Sequence, residues 1–476
     1  MFTEVFVALA VLATVLFHTA GVYFGIQAVL ISRTPQAAIG WGLALVFVPY
    51  VAIPLFLVFG ESRFSGYTLA GAEANAELDA ALRHAQRALA PFRSPLLEKY
   101  SDAERLGVGL RGIPPSGGNA CRLLIDGKET FRTIFEAIQN AQSYVIVQFY
   151  IVHDDGLGGA LKECLVAASR RGVQCWLLYD VVGSKRLTGS FLDELRDGGV
   201  SVQAFVTNRQ FGRRFQINFR NHRKLVIVDG RIAFLGGLNA GDEYLGLGVL
   251  GAWRDTHLQL EGPAVVGLQV SFLEDWFYAC KEVPDIPFEP LAAGSQTVLP
   301  FASGPAEIWN VTAALYSEII HDVRERLWIA SPYFVPDTAL RTAIGHAALR
   351  GVDVRIILPQ KPDHLLPWLS SYTFYPLMLE AGVKIWRYQR GFMHQKILLA
   401  DQDLAIVGSA NLDFRSFMLN FELSAVVQDL AFARSVEKMF EKDFARSEAE
   451  NLQKFEKGKF SFRLKCRLAA LMSPEQ

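Results

Sequence analysis

Cysteine is scarce and scattered in this chain, and neither sign of charge dominates it. The five cysteines are odd in number and never form a CxxC pair, so neither a disulfide framework nor a zinc site is indicated. Lys plus Arg (47) nearly equal Asp plus Glu (48), so the net charge argues neither for nor against bulk binding of nucleic acid. Any site for a polyanion must therefore be local.

Charged residues are also few, at 20% of the 476 residues, whereas hydrophobic residues reach 51%. The apolar excess is concentrated near the N-terminus, in the runs Val5–Ile31 and Ala37–Phe59, where His18 is the single ionisable residue. About 20 apolar residues cross the bilayer as a helix. Residues 1–60 are therefore predicted to form a transmembrane helical hairpin, with Pro49 and Pro54 kinking the second helix.

A cleavable signal peptide is the alternative interpretation of the first apolar run. The residues before it offer Glu4 and no Lys or Arg, and the run is longer than a signal sequence needs. Both features favour a permanent anchor. The few basic residues that flank the two runs, Arg33 and Arg63, favour a cytoplasmic position for the rest of the chain.

Residues 61–119 are predicted to be a membrane-proximal linker, with an amphipathic helix at Ala72–Ala90 that Pro91 ends. Beyond it the chain repeats itself at an offset of about 180 residues. The matching segments are Tyr144–Val152 with Leu327–Val335, Ala168–Asp180 with Ala347–Pro359, and Gly198–Phe205 with Ala381–Tyr388. Alternating strands and helices predict an α/β fold with a largely parallel sheet in each half. The halves are assigned to residues 120–290 and 295–449, followed by a basic amphipathic tail at 450–476.

Each half contains the same pattern, HxKxxxxD, near its end. HRKLVIVD contains His222, Lys224 and Asp229, and HQKILLAD contains His394, Lys396 and Asp401. A His and a Lys two residues apart on a strand project from one face, so an imidazole and an ammonium can reach the same phosphate. Chance explains one copy of so short a pattern, but not two copies at matching positions of a repeat. The two Asp residues are counted with the catalytic residues, although a role in hairpin geometry is the alternative.

A returning strand follows each motif and ends in GGLN or GSAN. The hairpin is predicted to bring Asn239, Ser409 and Asn411 beside the His–Lys pairs, where they would bind the non-bridging phosphate oxygens. Gly237 stands where the second half has Ser409, so one hydroxyl is missing. The two half-sites are therefore expected to be chemically unequal.

These residues resemble the paired HKD motifs of the phospholipase D superfamily. Within it, the segments Arg220–Gly246, Trp253–His257 and His394–Phe417, preceded by two apolar runs, resemble the cardiolipin synthases of bacteria, and the resemblance covers nearly the whole chain. It implies two pseudo-twofold-related α/β/α sandwich halves that share one active site, so that one chain suffices. It also implies catalysis without a metal or another cofactor.

The chemistry that the resemblance implies passes through a phosphohistidine. One His attacks phosphorus, while the other protonates the leaving oxygen and then deprotonates the incoming hydroxyl. The resemblance favours His222 as the nucleophile. Asp255 and Glu422 are candidates for the acceptor that orients an imidazole. Of the two, Glu422 has the spacing from His394 that matches the superfamily, and Asp255 is the weaker inference.

Two basic segments are candidates for binding lipid head groups. Arg209–Lys224 adjoins the first motif, so it either binds anionic lipid or is a solvated loop. Lys454–Arg467 in the tail interleaves basic residues with phenylalanines, a pattern typical of a segment at a membrane surface. Phosphatidylglycerol and other anionic membrane lipids are therefore the expected partners.

The activity implied by the resemblance is transfer of a phosphatidyl group from one phosphatidylglycerol to another, with release of glycerol. It would occur at the bacterial inner membrane, in a multi-pass chain whose catalytic body is cytoplasmic. A membrane phospholipase D that hydrolyses phospholipids to phosphatidic acid is the alternative. The near-neutral charge and the lack of a basic stripe disfavour a nuclease, so no nucleic-acid partner is expected. An inactive scaffold is disfavoured because both motifs retain His and Lys.

Overall fold

The computed structural model describes residues 2–32, 35–60, 76–111, 113–207, 218–307, 309–451 and 460–473. Its N-terminal region contains helix Phe2–Ile31, which is long and apolar enough to cross a membrane by length and composition. The second predicted span is divided into two shorter helices, Pro35–Phe47 and Pro49–Phe59. Val48 has a non-helical backbone because a proline disfavours helical geometry at the residue before it. Both short helices pack against the first helix.

The predicted linker contains helices Ala76–Leu89 and Ser101–Arg111, with short 3-10 turns at Ala90–Phe92 and Glu98–Tyr100 between them. The first helix lies within the predicted Ala72–Ala90, of which residues 72–75 fall outside the described part of the chain. Its buried face joins the core formed by residues of both halves. The second helix and Tyr100 pack into the core of the second half. The linker therefore forms part of the folded body.

The described residues of the first half, which leave out 208–217, form nine strands, four helices and a 3-10 turn. The strands are β1 (Ser116–Ile125), β2 (Tyr144–Phe149), β3 (Gln174–Asp180), β4 (Ser201–Phe205), β5 (Arg220–Asn221), β6 (Leu225–Val228), β7 (Ile232–Gly236), β8 (Trp253–Arg254) and β9 (Thr256–Glu261). The helices are Asp126–Gln139, Gly156–Arg170, Gly189–Asp197 and Val265–Cys280, and the turn is Asp242–Leu245.

The second half repeats this order along the chain. The strands are β10 (Gln296–Ser303), β11 (Arg326–Ala330), β12 (Phe334–Val335), β13 (Asp353–Pro359), β14 (Lys384–Tyr388), β15 (Phe392–Met393), β16 (Ile397–Ala400), β17 (Leu404–Gly408), β18 (Leu412–Asp413), β19 (Asn420–Gln428) and β20 (Ser447–Ala449). The helices are Val311–Asp322, Thr338–Leu349, Leu365–Ser371, Tyr375–Glu380, Phe414–Met418 and Leu430–Phe444, and the predicted tail contains helix Phe460–Ala470.

The long strands form one continuous sheet with a pseudo-twofold axis between β1 and β10. Outward from this antiparallel pair the order is β9, β7, β6, β2, β3 and β4 in the first half, and β19, β17, β16, β11, β13 and β14 in the second. The internal repeat is thereby confirmed. The prediction of a largely parallel sheet is wrong for the inner strands, which pair antiparallel, because each motif lies in a hairpin. The parallel strands are β2 to β4 and their counterparts.

Helices cover both faces of the sheet and give the predicted α/β/α layering. Strands β2, β6, β16 and β17 are buried along their whole length, which explains their nearly continuous apolar sequences. On one face, helices Val265–Cys280 and Leu430–Phe444 pack in a single core that contains residues of both halves. This shared core fixes the two motifs relative to each other.

Candidate active site

Each motif reaches across to the other half through a short parallel strand pair. β5 pairs with the start of β19, and β8 pairs with β15. As a result the main-chain N–H of His222 donates to the carbonyl of Phe421 at 2.9 Å, and that of His394 donates to the carbonyl of Arg254 at 2.8 Å. The His and Lys of each motif lie in an extended link, between β5 and β6 in the first half and between β15 and β16 in the second, and not within a strand as predicted, because this backbone pairs with the opposite half.

The crossed strands give each imidazole a carboxylate from the other half. His222 Nδ1 lies 2.9 and 3.0 Å from the two carboxylate oxygens of Glu422. His394 Nδ1 lies 2.7 Å from Asp255 Oδ2. Both acids predicted from the sequence therefore lie beside a motif histidine. Glu422, however, contacts His222 of the first motif, whereas the spacing that identified it is measured from His394 of the second. In each ring, Nε2 is then the nitrogen that can react with phosphorus or transfer a proton.

The two lysines of the motifs are buried in equivalent positions. Lys224 Nζ donates to the carbonyl of His222 at 2.7 Å, and Lys396 Nζ donates to that of His394 at 2.6 Å. Burial lowers the pKa of Lys396 to about 8 and that of Lys224 well below its ordinary value, and the Lys396 ammonium lowers the pKa of Lys224 further. A phosphate group would therefore stabilise two cations that burial disfavours.

The carboxylates that hold the imidazoles differ in their surroundings. Glu422 also accepts hydrogen bonds from Ser409 Oγ at 2.5 Å and Asn420 Nδ2 at 3.1 Å. Burial raises its pKa, but the interactions with His222, Lys224 and Ser409 outweigh burial and the pKa is lowered. Burial raises the pKa of Asp255, and its contacts do not compensate. The first imidazole thus faces the more stable anion.

Gly237 explains part of this inequality. A side chain at this position would meet Asp255, because a Cβ atom would lie 2.1 Å from its Oδ1. The equivalent Ser409 instead directs its hydroxyl at Glu422 and accepts the N–H of Leu423 at 2.9 Å. Ser409 was predicted to bind phosphate, but its contacts orient a carboxylate. The half-sites are therefore unequal, as expected, and the difference lies in the surroundings of the carboxylates that contact the imidazoles.

The surroundings of both imidazoles favour their neutral forms. Burial, opposed by Glu422 and assisted by the lysines, lowers the pKa of His222 to about 4. Burial together with Lys396 lowers the pKa of His394 well below its ordinary value. A neutral imidazole is a competent nucleophile, whereas a general acid must carry a proton. A phosphodiester, as an anion, favours uptake of that proton when it binds.

One cavity of about 420 Å³ is lined by both histidines. Asn239 and Asn411, predicted as phosphate ligands, line it as well. Asn239 Nδ2 donates to the Tyr244 hydroxyl at 2.8 Å, and Asn411 Nδ2 donates to Asp413 at 3.1 Å. The two motifs therefore contribute to one cleft and not to two.

Aromatic residues outside the two motifs, which were not predicted as site residues, also line this cavity. Tyr150 packs edge-on against His222, with ring centroids 5.0 Å apart, and Trp253 lies at the same centroid distance from His394. Tyr333 lines the cavity and donates to Asp363 at 2.5 Å. Tyr150 and Tyr333 occupy the same position in the aligned repeats YVIVQFYIV and LWIASPYFV. This shared position in the repeat is the sequence feature from which both tyrosines could have been identified.

The two motif aspartates have structural contacts. Asp229 accepts main-chain N–H groups of residues 142–144 at 2.7 to 3.0 Å, and Asp401 accepts those of residues 324–326 at 2.8 to 3.3 Å. Both have a left-handed backbone, with φ of 53° and 51°. Strand β6 separates Asp229 from the first His–Lys pair, and β16 separates Asp401 from the second. These contacts favour the alternative role in hairpin geometry over a catalytic role for the two aspartates.

The described arginines of the basic segment beside the first motif, Arg220 and Arg223, lie in different environments. Arg223 is buried and pairs with Asp275 at 2.8 Å, so it is not a surface ligand for lipid. Arg220 lines a second cavity of about 410 Å³ that also contains His222. Residues 208–217, with the remaining arginines of the segment, lie outside the described part of the chain.

One group of side chains in the described residues has the spacing of a metal site. The potential ligand atoms of His153, Asp155 and Glu243 lie within 4.8 Å of one another. Asp155 caps helix Gly156–Arg170 by accepting the N–H of Gly158 at 3.0 Å, and it also accepts the N–H of Asp242 at 2.8 Å. Its carboxylate thus already has a structural role beside the cavity.

Comparison with known proteins agrees with this geometry. The family model described as cardiolipin synthase, phospholipase D-like domain, matches residues 134–248 and 316–444, one segment in each half. Cardiolipin synthase A of Pseudomonas entomophila is 44% identical over 469 residues, covering 96% of this chain and 97% of that protein. Its counterpart in Pseudomonas syringae pv. syringae is 43% identical over 466 residues, with 96% of each covered. The chain belongs to the cardiolipin synthase family.

The fold of this family member also resembles that of phosphatidylserine synthase from Haemophilus influenzae. The TM-score is 0.61 at 16% sequence identity, over 79% of this chain and all of that one. At this identity the likeness concerns the fold alone, which is phospholipase D-like. Together with the apolar helix Phe2–Ile31, the family identifies the chain as a membrane protein.

Proposed function

We propose that the chain is a cardiolipin synthase, a phosphatidyltransferase that transfers the phosphatidyl group of one phosphatidylglycerol to a glycerol hydroxyl of another and releases glycerol. The observation that carries the proposal is the pair of motif imidazoles on one cavity, each backed by a carboxylate of the opposite half. Family membership supports the same substrates.

The first step forms the covalent intermediate. His222 is assigned as the nucleophile because Glu422, with its lowered pKa, best stabilises the positive charge that the ring acquires when Nε2 bonds to phosphorus. The bond from phosphorus to the glycerol oxygen breaks. His394, protonated when the phosphodiester binds, gives its proton to that oxygen. Glycerol then leaves, and a phosphatidyl group remains on His222.

The second step reverses these roles with a lipid alcohol. His394, now neutral, removes the proton of an acceptor hydroxyl, whose oxygen bonds to phosphorus as the bond to His222 breaks. Lys224 and Lys396 stabilise the additional negative charge of the five-coordinate transition state in both steps. No step assigned to these residues requires a metal, and one chain supplies all of them.

The proposal includes an arrangement of the chain relative to the membrane. Helices Pro35–Phe47 and Pro49–Phe59 together form a second, kinked span that returns beside Phe2–Ile31. Residues 76–449 then form a cytoplasmic body with two phospholipase D-like halves. A lipid acceptor held at the membrane competes well with water for the intermediate, which favours transfer over hydrolysis.

Product analysis tests this proposal. The full chain, purified and placed in vesicles of pure labelled phosphatidylglycerol, should release glycerol and form cardiolipin. His394→Gln should lower the rate by about 10² to 10⁴ or more, because both proton transfers are lost. His346→Gln, an exposed histidine of helix Thr338–Leu349, is the matched control and should retain activity. Phosphatidic acid as the main product would instead identify a hydrolase, and an inactive wild type would contradict both.

A further inference from the structure

The C-terminal helix Phe460–Ala470 packs on the helix Leu365–Ser371. Cys466 and Ala469 on its inner face are buried in a small apolar cluster. The ring of Phe462 lies 5.3 Å from that of Tyr372, between centroids. The contact leaves the opposite face of the C-terminal helix directed outward.

The outward face of this helix is apolar. It carries four large hydrophobic side chains on and just beyond the helix: Phe460 (78% exposed), Leu464 (45%), Leu468 (55%) and Leu471 (76%). At 3.6 residues per turn these positions fall within an arc of about 80°. The helix of a soluble domain normally presents polar residues on the face that lies opposite its core contact. The four residues are called the outer stripe below.

Basic residues border the outer stripe on both sides. Arg463 and Arg467 lie along one edge, and Lys465 lies along the other, by the same helical spacing. All three are exposed. An apolar stripe with cationic edges is typical of a helix in the plane of a membrane, where the edges interact with anionic lipid head groups.

The supporting helix is also a wall of the active-site region. Leu365, Leu366 and Pro367 line the cavity of about 410 Å³ that contains His222. The two leucines are nevertheless well exposed. The outer stripe is therefore connected, through one pair of packed helices, to the mouth of a catalytic cavity.

A second apolar element borders the other cavity. Val249 and Leu250 line the cavity that contains both histidines, and Leu247 and Val249 are strongly exposed. His364, next to Leu365, lines both cavities. Apolar groups that are open to solvent thus occur on a helix and on a loop at the rim of the site. Large exposed apolar surfaces mark places where a protein meets a partner or a membrane.

We propose that the outer stripe, together with the exposed residues Leu365, Leu366 and Leu247–Val249, is a docking surface for an anionic bilayer. It holds the mouth of the cavity at the level of the head groups, so that lipid enters without leaving the membrane. The stripe is apolar, its edges are cationic, and the chain is already a membrane protein, all of which favour a bilayer over a soluble partner.

A depth measurement tests the proposal without depending on the reaction. Leu464→Cys and, as a matched control, Leu349→Cys carry an environment-sensitive fluorophore in the full chain. Leu349 is an exposed leucine at the end of helix Thr338–Leu349, away from the stripe. The unsubstituted chain is labelled in parallel to correct for its own cysteines. The proteins are placed in nanodiscs of phosphatidylglycerol that contain doxyl-labelled lipid.

The label at position 464 should be quenched several-fold more by doxyl lipid than the label at 349, and protected from aqueous iodide. Equal quenching at the two positions overturns the proposal. Protection from both iodide and doxyl lipid overturns it as well, because a second copy or another protein would then cover the stripe.

A functional experiment examines the consequence of docking. Combined Leu464→Ser and Leu468→Ser should lower transfer in phosphatidylglycerol vesicles by roughly tenfold, since two apolar side chains no longer enter the lipid. Transfer between monomeric short-chain phosphatidylglycerol molecules should be unchanged, as should the control Leu349→Ser in both assays. An equal loss on both substrates would contradict docking, whereas an inactive wild type would count against the proposed function alone.

Discussion

Glu422→Gln is expected to slow formation of the phosphatidyl adduct, whereas Asp255→Asn is expected to slow its formation less and to impair its turnover. The reason is the crossed pairing, which places Glu422 behind His222 and Asp255 behind His394. If each acid contacted the histidine of its own half, the opposite effects of the two variants would be expected. The two variants therefore separate the roles of the histidines without removing either ring.

The magnitude follows from the contacts that are lost. Both oxygens of Glu422 lie within 3.0 Å of His222 Nδ1, and a hydrogen bond to a charged group contributes about 1.5–3 kcal/mol. At 1.36 kcal/mol per factor of ten, this corresponds to about 10- to 150-fold in the rate of the first step. The amide of Gln can also present its N–H₂ to the ring and stabilise the wrong tautomer, so a loss near the upper end is expected.

Single-turnover mass spectrometry measures the effect. Enzyme mixed with short-chain phosphatidylglycerol is quenched at intervals in alkaline denaturant, which preserves a phosphohistidine, and the adduct is counted per chain. Glu422→Gln should accumulate it slowly. Asp255→Asn should accumulate more of it than wild type when an analogue with a good leaving group is used, because that first step needs no acid. A slow first step in Asp255→Asn with this analogue, and a normal one in Glu422→Gln, would refute the crossed assignment.

Three further predictions concern the surroundings of the imidazoles. Gly237→Ala should displace Asp255 and so reduce turnover about as much as Asp255→Asn, as steady-state transfer assays can measure; unchanged turnover would contradict the steric argument. The pKa of Lys396 is lowered to about 8, so its charge is lost as the pH rises through 8. Inhibition by inorganic phosphate should therefore weaken above that pH in wild type but less in Lys396→Arg. Identical profiles of inhibition against pH in the two proteins would argue against this lysine as the titrating group. Chelator treatment should leave transfer intact, because the proposed steps use Lys396 and its partner Lys224 in place of a metal; an activity that is abolished by chelation and restored by a divalent ion would contradict this.

The sequence predicted the repeat, the α/β halves and the meeting of the motifs because these features follow from local periodicity and from residue identity. It did not predict the antiparallel inner strands, since a buried parallel strand and a buried antiparallel strand have the same continuous apolar pattern, as in LVIV of β6. It also did not predict which acid serves which histidine. That pairing depends on the contacts of β5 with the start of β19 and of β8 with β15, and β5, β8 and β15 are two-residue strands without a sequence pattern of their own.

The roles of individual motif residues were harder to predict than their positions. Ser409 follows its strand as expected, yet its hydroxyl contacts Glu422, a residue in the next strand of the sheet. Asp229 belongs to the motif, yet its carboxylate binds the main chain at the start of β2. In both cases the partner is distant in sequence and is brought near by the sheet order. Spacing within a motif does not encode such contacts.

The position of the covalent adduct tests the central claim most directly. His394→Ala retains the attacking imidazole and loses the acid and base, so with a good-leaving-group analogue of phosphatidylglycerol it should accumulate a phosphatidyl group on His222. His222→Ala should accumulate none. Peptide mapping by mass spectrometry after an alkaline quench locates the group. An adduct on His394 in the His222→Ala protein would reverse the assignment, and the absence of any adduct in wild type and in both variants would contradict the covalent mechanism.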